Sequence, residues 1–167
     1  KFNPGEIEYG KPATQAAIAK AKLKIKIPKD LLALYKKFDG IDGEIVPVGE
    51  LAGLQKHFQK EMRGLLAEGP EDENFTGDDI DIRTLSPLEN CTAISETSSG
   101  DYLFLHAKAK TANGNSPVLR YCHDQSFVCR IEAESLAFFA ARLFLRRWAE
   151  LNGSEKQFFN VLYPKTR

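Results

Sequence analysis

The sequence predicts an α+β fold in which an antiparallel sheet of about four to six strands packs against N-terminal and C-terminal helices. Apolar residues first recur at steps of three and four, then form short alternating or continuous runs after Pro87, and return to helical spacing from residue 134. Hydrophobic residues make up 43% of the chain, a fraction typical of globular domains. We therefore expect residues 1–167 to form one domain with a substantial core.

The N-terminal half is predicted to contain three helices. The alanine-rich run at 12–24 starts with a proline, which a first helical turn tolerates. In PKDLLALYKKFDG at 28–40, the apolar residues share one face, and Gly40 stands where a glycine commonly ends a helix. The segment 51–66 has the strongest helical periodicity in the chain. Between the last two, EIVPV at 44–48 predicts only a short or edge strand, because its proline has no N–H for a ladder.

The sheet is predicted from four apolar runs, which are CTAIS at 91–95, DYLFLHA at 101–107, PVLRYC at 117–122 and SFVCRIE at 126–132. Asn113-Gly114 lies between the second and third runs, and both residues tolerate the positive φ of a tight reversal. The polar stretch 123–126 is short enough to turn the third run into the fourth. Sequential strands with short connections predict an antiparallel meander.

The C-terminal part is predicted to be helical. The segment 134–153 carries a broad apolar stripe and ends in a glycine. The tail that follows opens with Ser154 and Gln157 at capping-box spacing. Because this tail contains two phenylalanines, a valine and a leucine, we expect the helical extension at about 150–167 to dock on the core or on a partner.

The charges cancel overall but are unevenly distributed. With 23 basic and 23 acidic residues, no general attraction to nucleic acid or membranes is expected. Eight lysines lie between Lys11 and Lys37, but no aromatic residues alternate with them as in single-strand binding surfaces. The segment 68–82 contains seven acids and no base, so it is predicted to be a long surface loop inserted into the domain.

The cysteines and the chain start bear on the cellular compartment. Three cysteines without paired spacing do not indicate a disulfide framework, and no run reaches the ~18–20 apolar residues of a membrane helix. No basic-then-apolar signal segment opens the sequence. We therefore expect a cytoplasmic protein. The first residue is Lys1 rather than Met, so the natural start is expected to be missing.

Five segments in this order resemble the SUKH superfamily, the Smi/Knr-type domain, over about residues 23–145. They are IPKDLLALYKKFDG at 27–40, IVPVGEL at 45–51, SSGDYLFL at 98–105, Pro117-Val118 with His123-Asp124, and IEAESLAFFAARL at 131–143. The motif residues that carry the resemblance are Pro28, Gly40, Gly100, Asp101, His123 and Asp124. The part between Leu51 and Arg83 is longer than usual for the family, and the apolar tail is additional.

The resemblance implies an α+β fold with no catalytic centre and no cofactor. Many bacterial members of the superfamily are immunity proteins that bind and neutralise a cognate toxin, often a nuclease. Fungal relatives are regulatory and scaffolding proteins in cell-wall signalling. The expected partner is therefore a protein.

The same motif residues could also have catalytic or metal-binding roles. Gly100 permits a tight turn in which Asp101 accepts backbone hydrogen bonds, and we favour this structural role over a general base or metal ligand. Cys122 and His123 suggest a thiol hydrolase, but adjacent residues of a strand point to opposite faces and cannot easily form a nucleophile–base pair. No phosphate-binding glycine motif occurs in the sequence.

A metal site is not predicted. No pair of cysteines or histidines has the C-x-x-C or H-x-x-x-H spacing of metal ligands. Cys122 and Cys129 could face each other across a hairpin, but packed small hydrophobes are the commoner outcome. His57 is expected on the solvated side of the helix at 51–66.

The acidic loop is the predicted partner-binding element, because carboxylates can mimic a nucleic-acid backbone and capture a basic protein. Its candidate residues are Glu71, Asp72, Glu73, Asp78, Asp79 and Asp81. A solvated insertion without a partner is the alternative. The leading hypothesis is an immunity protein that binds through this loop and an exposed face of the sheet. A regulatory scaffold that docks through its tail, and more remotely a hydrolase using Cys122, remain open.

Overall fold

The computed structural model describes residues 11–41, 43–68, 75–77, 79–85, 87–125 and 127–151. Within these residues the chain forms four α-helices and a five-stranded antiparallel sheet, which confirms the predicted α+β fold. None of the helices in this described part is long and apolar enough to cross a membrane. Residues 71–74 of the acidic segment and the tail at 152–167 lie outside the described residues.

Two helices precede the sheet at the start of the described chain. Helix α1 spans Gln15–Lys22, and the hydroxyl of Thr14 accepts the N–H of Ala17 at 3.2 Å. The helix therefore starts three residues later than the proline predicts, because threonine is an effective N-cap. Helix α2 spans Lys29–Tyr35, directly after Pro28.

Gly40 has a different role from the predicted helix-ending glycine. Helix α2 ends at Tyr35, and Gly40 adopts a φ of +87° in the turn beyond it. A Cβ atom added there would lie 2.6 Å from the carbonyl oxygen of Ile45. The predicted helix-ending role of Gly40 was therefore wrong. The glycine is required because two backbone segments approach each other closely at this position.

The segment 44–48 forms less structure than predicted. It makes only an isolated bridge between Ile41 and Ile45, and the N–H of Val46 donates to the carbonyl of Ile94 at 2.9 Å. Helix α3 then spans Leu51–Ala67, close to the predicted bounds. Gly49 and Glu50 connect the segment 44–48 to α3 within a single turn.

The sheet has the order β1-β5-β4-β3-β2. Its strands are β1 at Ile80–Asp81, β2 at Cys91–Glu96, β3 at Tyr102–His106, β4 at Val118–Tyr121 and β5 at Val128–Ala133, and helix α4 follows at Leu136–Leu151. The four predicted strands form the predicted meander. Strand β1 corrects the predicted surface loop at 68–82 at its end, where Ile80 pairs with Cys129 of β5.

Hydrophobic clusters cover both faces of the sheet. In the first core cluster, helices α1, α2 and α4 pack on β2, β3, β4 and β5 with residues that include Leu31, Phe139 and Leu103. In the second core cluster, Phe58 and Met62 of α3 pack on the opposite face. The expected open sheet face is thus limited to part of β5, where Arg130 and Ile131 are exposed. Nearly every residue of β2 and β3 is buried, whereas a strand with one solvated face is buried only at alternate positions.

A side chain covers the outer edge of β2. Gln55 of α3 is buried, donates from Nε2 to the carbonyl of Cys91 and accepts the N–H of Ala93 at Oε1, each at 2.9 Å. The carboxamide thus makes the two hydrogen bonds that a neighbouring strand would make. This pairing hides polar backbone groups that would otherwise attract another strand.

Candidate functional site

The glycine-aspartate motif forms the turn between β2 and β3. Gly100 has a φ of +90°, its N–H donates to the carbonyl of Thr97, and the hydroxyl of Thr97 accepts the N–H of Asp101 at 3.0 Å. A Cβ atom on Gly100 would lie 3.4 Å from the ring of His123. The turn therefore needs a residue that tolerates positive φ, and it packs directly against the next turn of the sheet.

Asp101 joins this turn to the one between β4 and β5. Its Oδ1 accepts the backbone N–H of His123 at 3.1 Å and lies 2.9 Å from the ring nitrogen Nδ1, while Arg120 lies 3.6 Å from Oδ2. Partial burial acts to raise the pKa of Asp101, but the His123 hydrogen bonds and the Arg120 charge outweigh burial and lower it. The carboxylate is thus held ionised between two connections of the sheet.

The environment of the Cys122 thiol differs from that of a catalytic nucleophile. The side chain is buried, and burial raises the pKa of the thiol. Reactive cysteines instead have a lowered pKa in a partly exposed, electropositive site. His123, by contrast, is half-exposed and faces Asp101. Cys91 and Cys129 are also free and buried, and burial raises the pKa of Cys91 to about 12.

Asp101, His123 and Asp124 are near enough to share a ligand, since one potential donor atom from each lies within 4.8 Å of the others. The nearby Arg120 already compensates the Asp101 charge, and the His123 ring already bonds to that carboxylate. A cation at this position would have to compete with the positive charge of Arg120 and with the His123 hydrogen bonds. The arrangement therefore suits a polar link between turns better than metal binding.

Asp79 is one of two predicted partner-binding residues in the described part of the chain. Its Oδ1 lies 2.8 Å from Nε of Arg130, and its Oδ2 accepts the N–H and the hydroxyl of Thr76 at 2.9 and 3.0 Å. The Arg130 hydrogen bond, followed by that of the Thr76 backbone, lowers the pKa of Asp79. Its negative charge is thus already compensated within the chain.

Asp81 has a similar internal partner. Both of its carboxylate oxygens lie 2.8 Å from Nε of Arg83, whose guanidinium stacks 4.5 Å from the ring centre of Phe127. The Arg83 hydrogen bond lowers the pKa of Asp81. The other predicted partner-binding residues lie outside the described residues, and they are Glu71, Asp72, Glu73 and Asp78.

A polar cluster between α3 and the sheet was missed by the sequence analysis. The buried Tyr102 donates its hydroxyl to Glu61 at 2.7 Å and lies 2.6 Å from Nδ1 of His57. Glu96 lies 3.5 Å from the same nitrogen. His57 was expected to be merely solvated, but it lies between two carboxylates that are exposed by 46% and 38%. Only the four-residue spacing of His57 and Glu61 could have indicated the contact.

Fold and site together define an α+β domain in which the most polar motif residues hydrogen-bond to one another across the turns of an antiparallel sheet. The chain belongs to the SMI1 / KNR4 family (SUKH-1), whose family model matches residues 12–142. This match confirms the resemblance found in the sequence. A search of curated proteins found no match.

Proposed function

We propose that this protein is a non-catalytic protein-binding domain and acts as an immunity protein that neutralises a cognate toxin. The observation that carries the proposal is the family match over residues 12–142, since many bacterial members of the superfamily have this role. The burial of the Cys122 thiol and its raised pKa also favour binding over thiol chemistry.

The acidic segment supplies the proposed contact surface. Asp79 and Asp81 pair with Arg130 and Arg83, so they hold the end of the segment against the sheet and contribute little net charge to a partner. The attraction to a basic toxin then comes mainly from Glu71, Asp72, Glu73 and Asp78. The exposed carboxylates Glu61 and Glu96 provide a second acidic position on the domain.

The test is protection of cells from a candidate toxin by co-expression of this chain. In a complex with such a toxin, the triple variant Glu71→Gln, Asp72→Asn, Asp78→Asn should associate about 10-fold more slowly at low salt and lose most of its salt dependence. Stopped-flow mixing at two ionic strengths measures both effects.

A matched control variant removes the same number of negative charges at positions outside the acidic segment. Asp30→Asn, Glu50→Gln and Glu134→Gln together remove three carboxylates outside the acidic segment. This variant should associate at nearly the parental rate. Equal slowing of both triple variants would remove the acidic segment from the binding surface, and failure to protect against any toxin tested would contradict the immunity function.

A regulatory scaffold is the second candidate, and the surface of α4 favours it. Phe138 and Leu145 lie seven residues apart on one helix face, and about half of each side chain is exposed. Exposed apolar residues at this spacing can dock an intracellular partner without any toxin. Substituting both by serine should release such a partner in a pull-down while leaving toxin protection unchanged.

A further inference from the structure

A cavity of about 280 Å³ lies between the start of α2, strands β2 and β3, and the connection 107–117. Pro28, Leu105 and Ala107 contribute apolar surface, and Thr92 and Ser116 contribute hydroxyl groups. Apolar walls with a few converging polar groups are typical of small-ligand sites, and this volume is at the small end of their range. The motif residues Gly100, Asp101, His123 and Asp124 do not line it.

The charges around this cavity favour an anion. Lys26, Lys29 and Lys110 line it, and Nζ of Lys110 donates to the hydroxyl of Ser116 at 2.8 Å. Two acids, Asp30 and Glu89, also line the cavity. Glu89 lies 3.7 Å from the guanidinium of Arg63, whose positive charge compensates that of Glu89. The lining therefore carries an excess of positive charge, drawn from the lysine-rich part of the sequence and from the connection after β3.

Asn90 presents a hydrogen-bond donor without an acceptor at the cavity. Its amide nitrogen is buried and makes no hydrogen bond to any described residue, whereas its backbone carbonyl accepts the N–H of Ala107 at 2.7 Å. A buried donor without an acceptor is unfavourable, and such groups commonly mark a ligand or water position. Less than 1 Å² of this nitrogen is accessible, so a small rotation of the Asn90 side chain toward the cavity would bring it to the oxygen atom of a ligand.

His106, a buried polar side chain of the lining, cannot supply that acceptor. Its Nδ1 accepts the N–H of Ala109 at 2.9 Å, so its Nε2 carries the proton and donates to the carbonyl of Leu85 at 3.1 Å. Burial lowers the pKa of His106, which keeps the ring neutral. Both ring nitrogens are used, and the positive charge of the cavity comes from the lysines.

We propose that this cavity binds a small molecule through a phosphate or carboxylate group. The anion accepts hydrogen bonds from the amide of Asn90 and forms ion pairs with Lys29 and Lys110, while the remainder of the molecule contacts Pro28 and Leu105. This site goes beyond the proposed binding of a toxin, because it needs no protein partner.

The test is a titration of the ¹⁵N-labelled chain followed at the side-chain amide of Asn90. The probes are inorganic phosphate, glucose 6-phosphate and succinate, which distinguish free phosphate, a phosphate ester and a carboxylate. At least one should shift the Asn90 amide resonances in a saturable way. Lys29→Gln and Lys110→Gln should each raise the Kd of that probe about 10-fold, as expected for loss of a charge-assisted contact.

Asn90→Asp keeps the side-chain shape but replaces the donor by a negative charge, so it should abolish binding. Lys37→Gln is the matched control, because this exposed lysine follows α2 but does not line the cavity. Lys37→Gln should leave the Kd unchanged. Backbone amide spectra verify that each variant is folded.

Three outcomes would overturn the proposal. The Asn90 amide could remain unshifted by all three probes, as expected if water alone occupies the cavity. Lys37→Gln could weaken binding as much as Lys29→Gln, which would indicate unspecific attraction. An acidic peptide could shift Asn90 where all three probes fail, which would assign the cavity to a protein partner. Toxin protection by the Lys29→Gln variant is scored separately, so failure here is distinguishable from failure of the immunity function.

Discussion

Gln55 offers a direct test of how the outer edge of the sheet is stabilised. Substitution by leucine keeps a side chain of similar size but removes the partners of the Cys91 carbonyl and the Ala93 N–H. Each buried backbone group left without a partner costs about 1–3 kcal/mol. With a small compensation from the added apolar surface, Gln55→Leu should lower the free energy of unfolding by about 2–5 kcal/mol. That is a large part of the 5–15 kcal/mol typical of a domain.

Urea unfolding followed by circular dichroism measures this loss. The matched control is Gln59→Leu, one helical turn further along α3, where the side chain is only partly buried and makes no hydrogen bond to another described residue. The control should change stability by less than about 0.5 kcal/mol. A loss below about 1 kcal/mol for Gln55→Leu, or an equal loss in both variants, would refute the proposed edge pairing.

Gln55→Glu separates the two hydrogen bonds by pH. The carboxylate can still accept the N–H of Ala93, but it must be protonated to donate to the carbonyl of Cys91. Burial and this requirement both raise the pKa of the carboxyl in the folded state above its unfolded value of about 4.3. The stabilisation is therefore complete below about pH 4 and is lost as the pH rises through the folded pKa. A variant whose unfolding free energy relative to the parent is constant between pH 4 and 7 would contradict this assignment.

Three further predictions concern the turns and the thiols. Gly100→Ala should lower the free energy of unfolding by about 1–2 kcal/mol, because alanine is strained at positive φ. Gly53→Ala inside α3 should instead raise it by about 0.5–1 kcal/mol. The two variants should therefore shift Tm in opposite directions, and equal shifts would contradict this prediction. Because the pKa of Asp101 is lowered on folding, its stabilisation is present above the unfolded pKa of about 3.9 and is lost as the pH falls through the folded value. Asp101→Asn should therefore flatten the acid limb of the stability curve, and an unchanged limb would exclude the contribution. Cys122 and Cys129 should react with a thiol reagent at least about 10-fold faster in urea than in buffer, and equal rates would contradict their burial.

The sequence was most informative where one period persists over many residues. Helix α3 repeats its apolar residues over four turns, and the four main strands are bounded by glycine, asparagine and other turn formers. The two-residue strand β1 has no period of its own, because pairing with β5 alone defines it. The Gly40 turn also depends on a contact with Ile45, which spacing within one helix does not contain.

The candidate site was less predictable, since it depends on which side chains meet across the sheet. The motif pair Asp101 and His123 is 22 positions apart, and only the register of β3 on β4 brings the two turns together. The cluster around Tyr102 requires α3 to lie across β2 and β3 at one particular depth. For the same reason, the arginine partners of Asp79 and Asp81 could not be assigned from a run of like charges.

The coverage of the sheet on both faces has an evolutionary consequence. Because α3 packs on one face of the sheet and α1, α2 and α4 pack on the other, most of the surface open to a partner lies on helix exteriors and connections. Substitutions there leave the packed interior unchanged and typically alter stability by less than about 0.5 kcal/mol. Under the proposed immunity function, one architecture can therefore acquire successive recognition specificities on its surface without redesign of its interior.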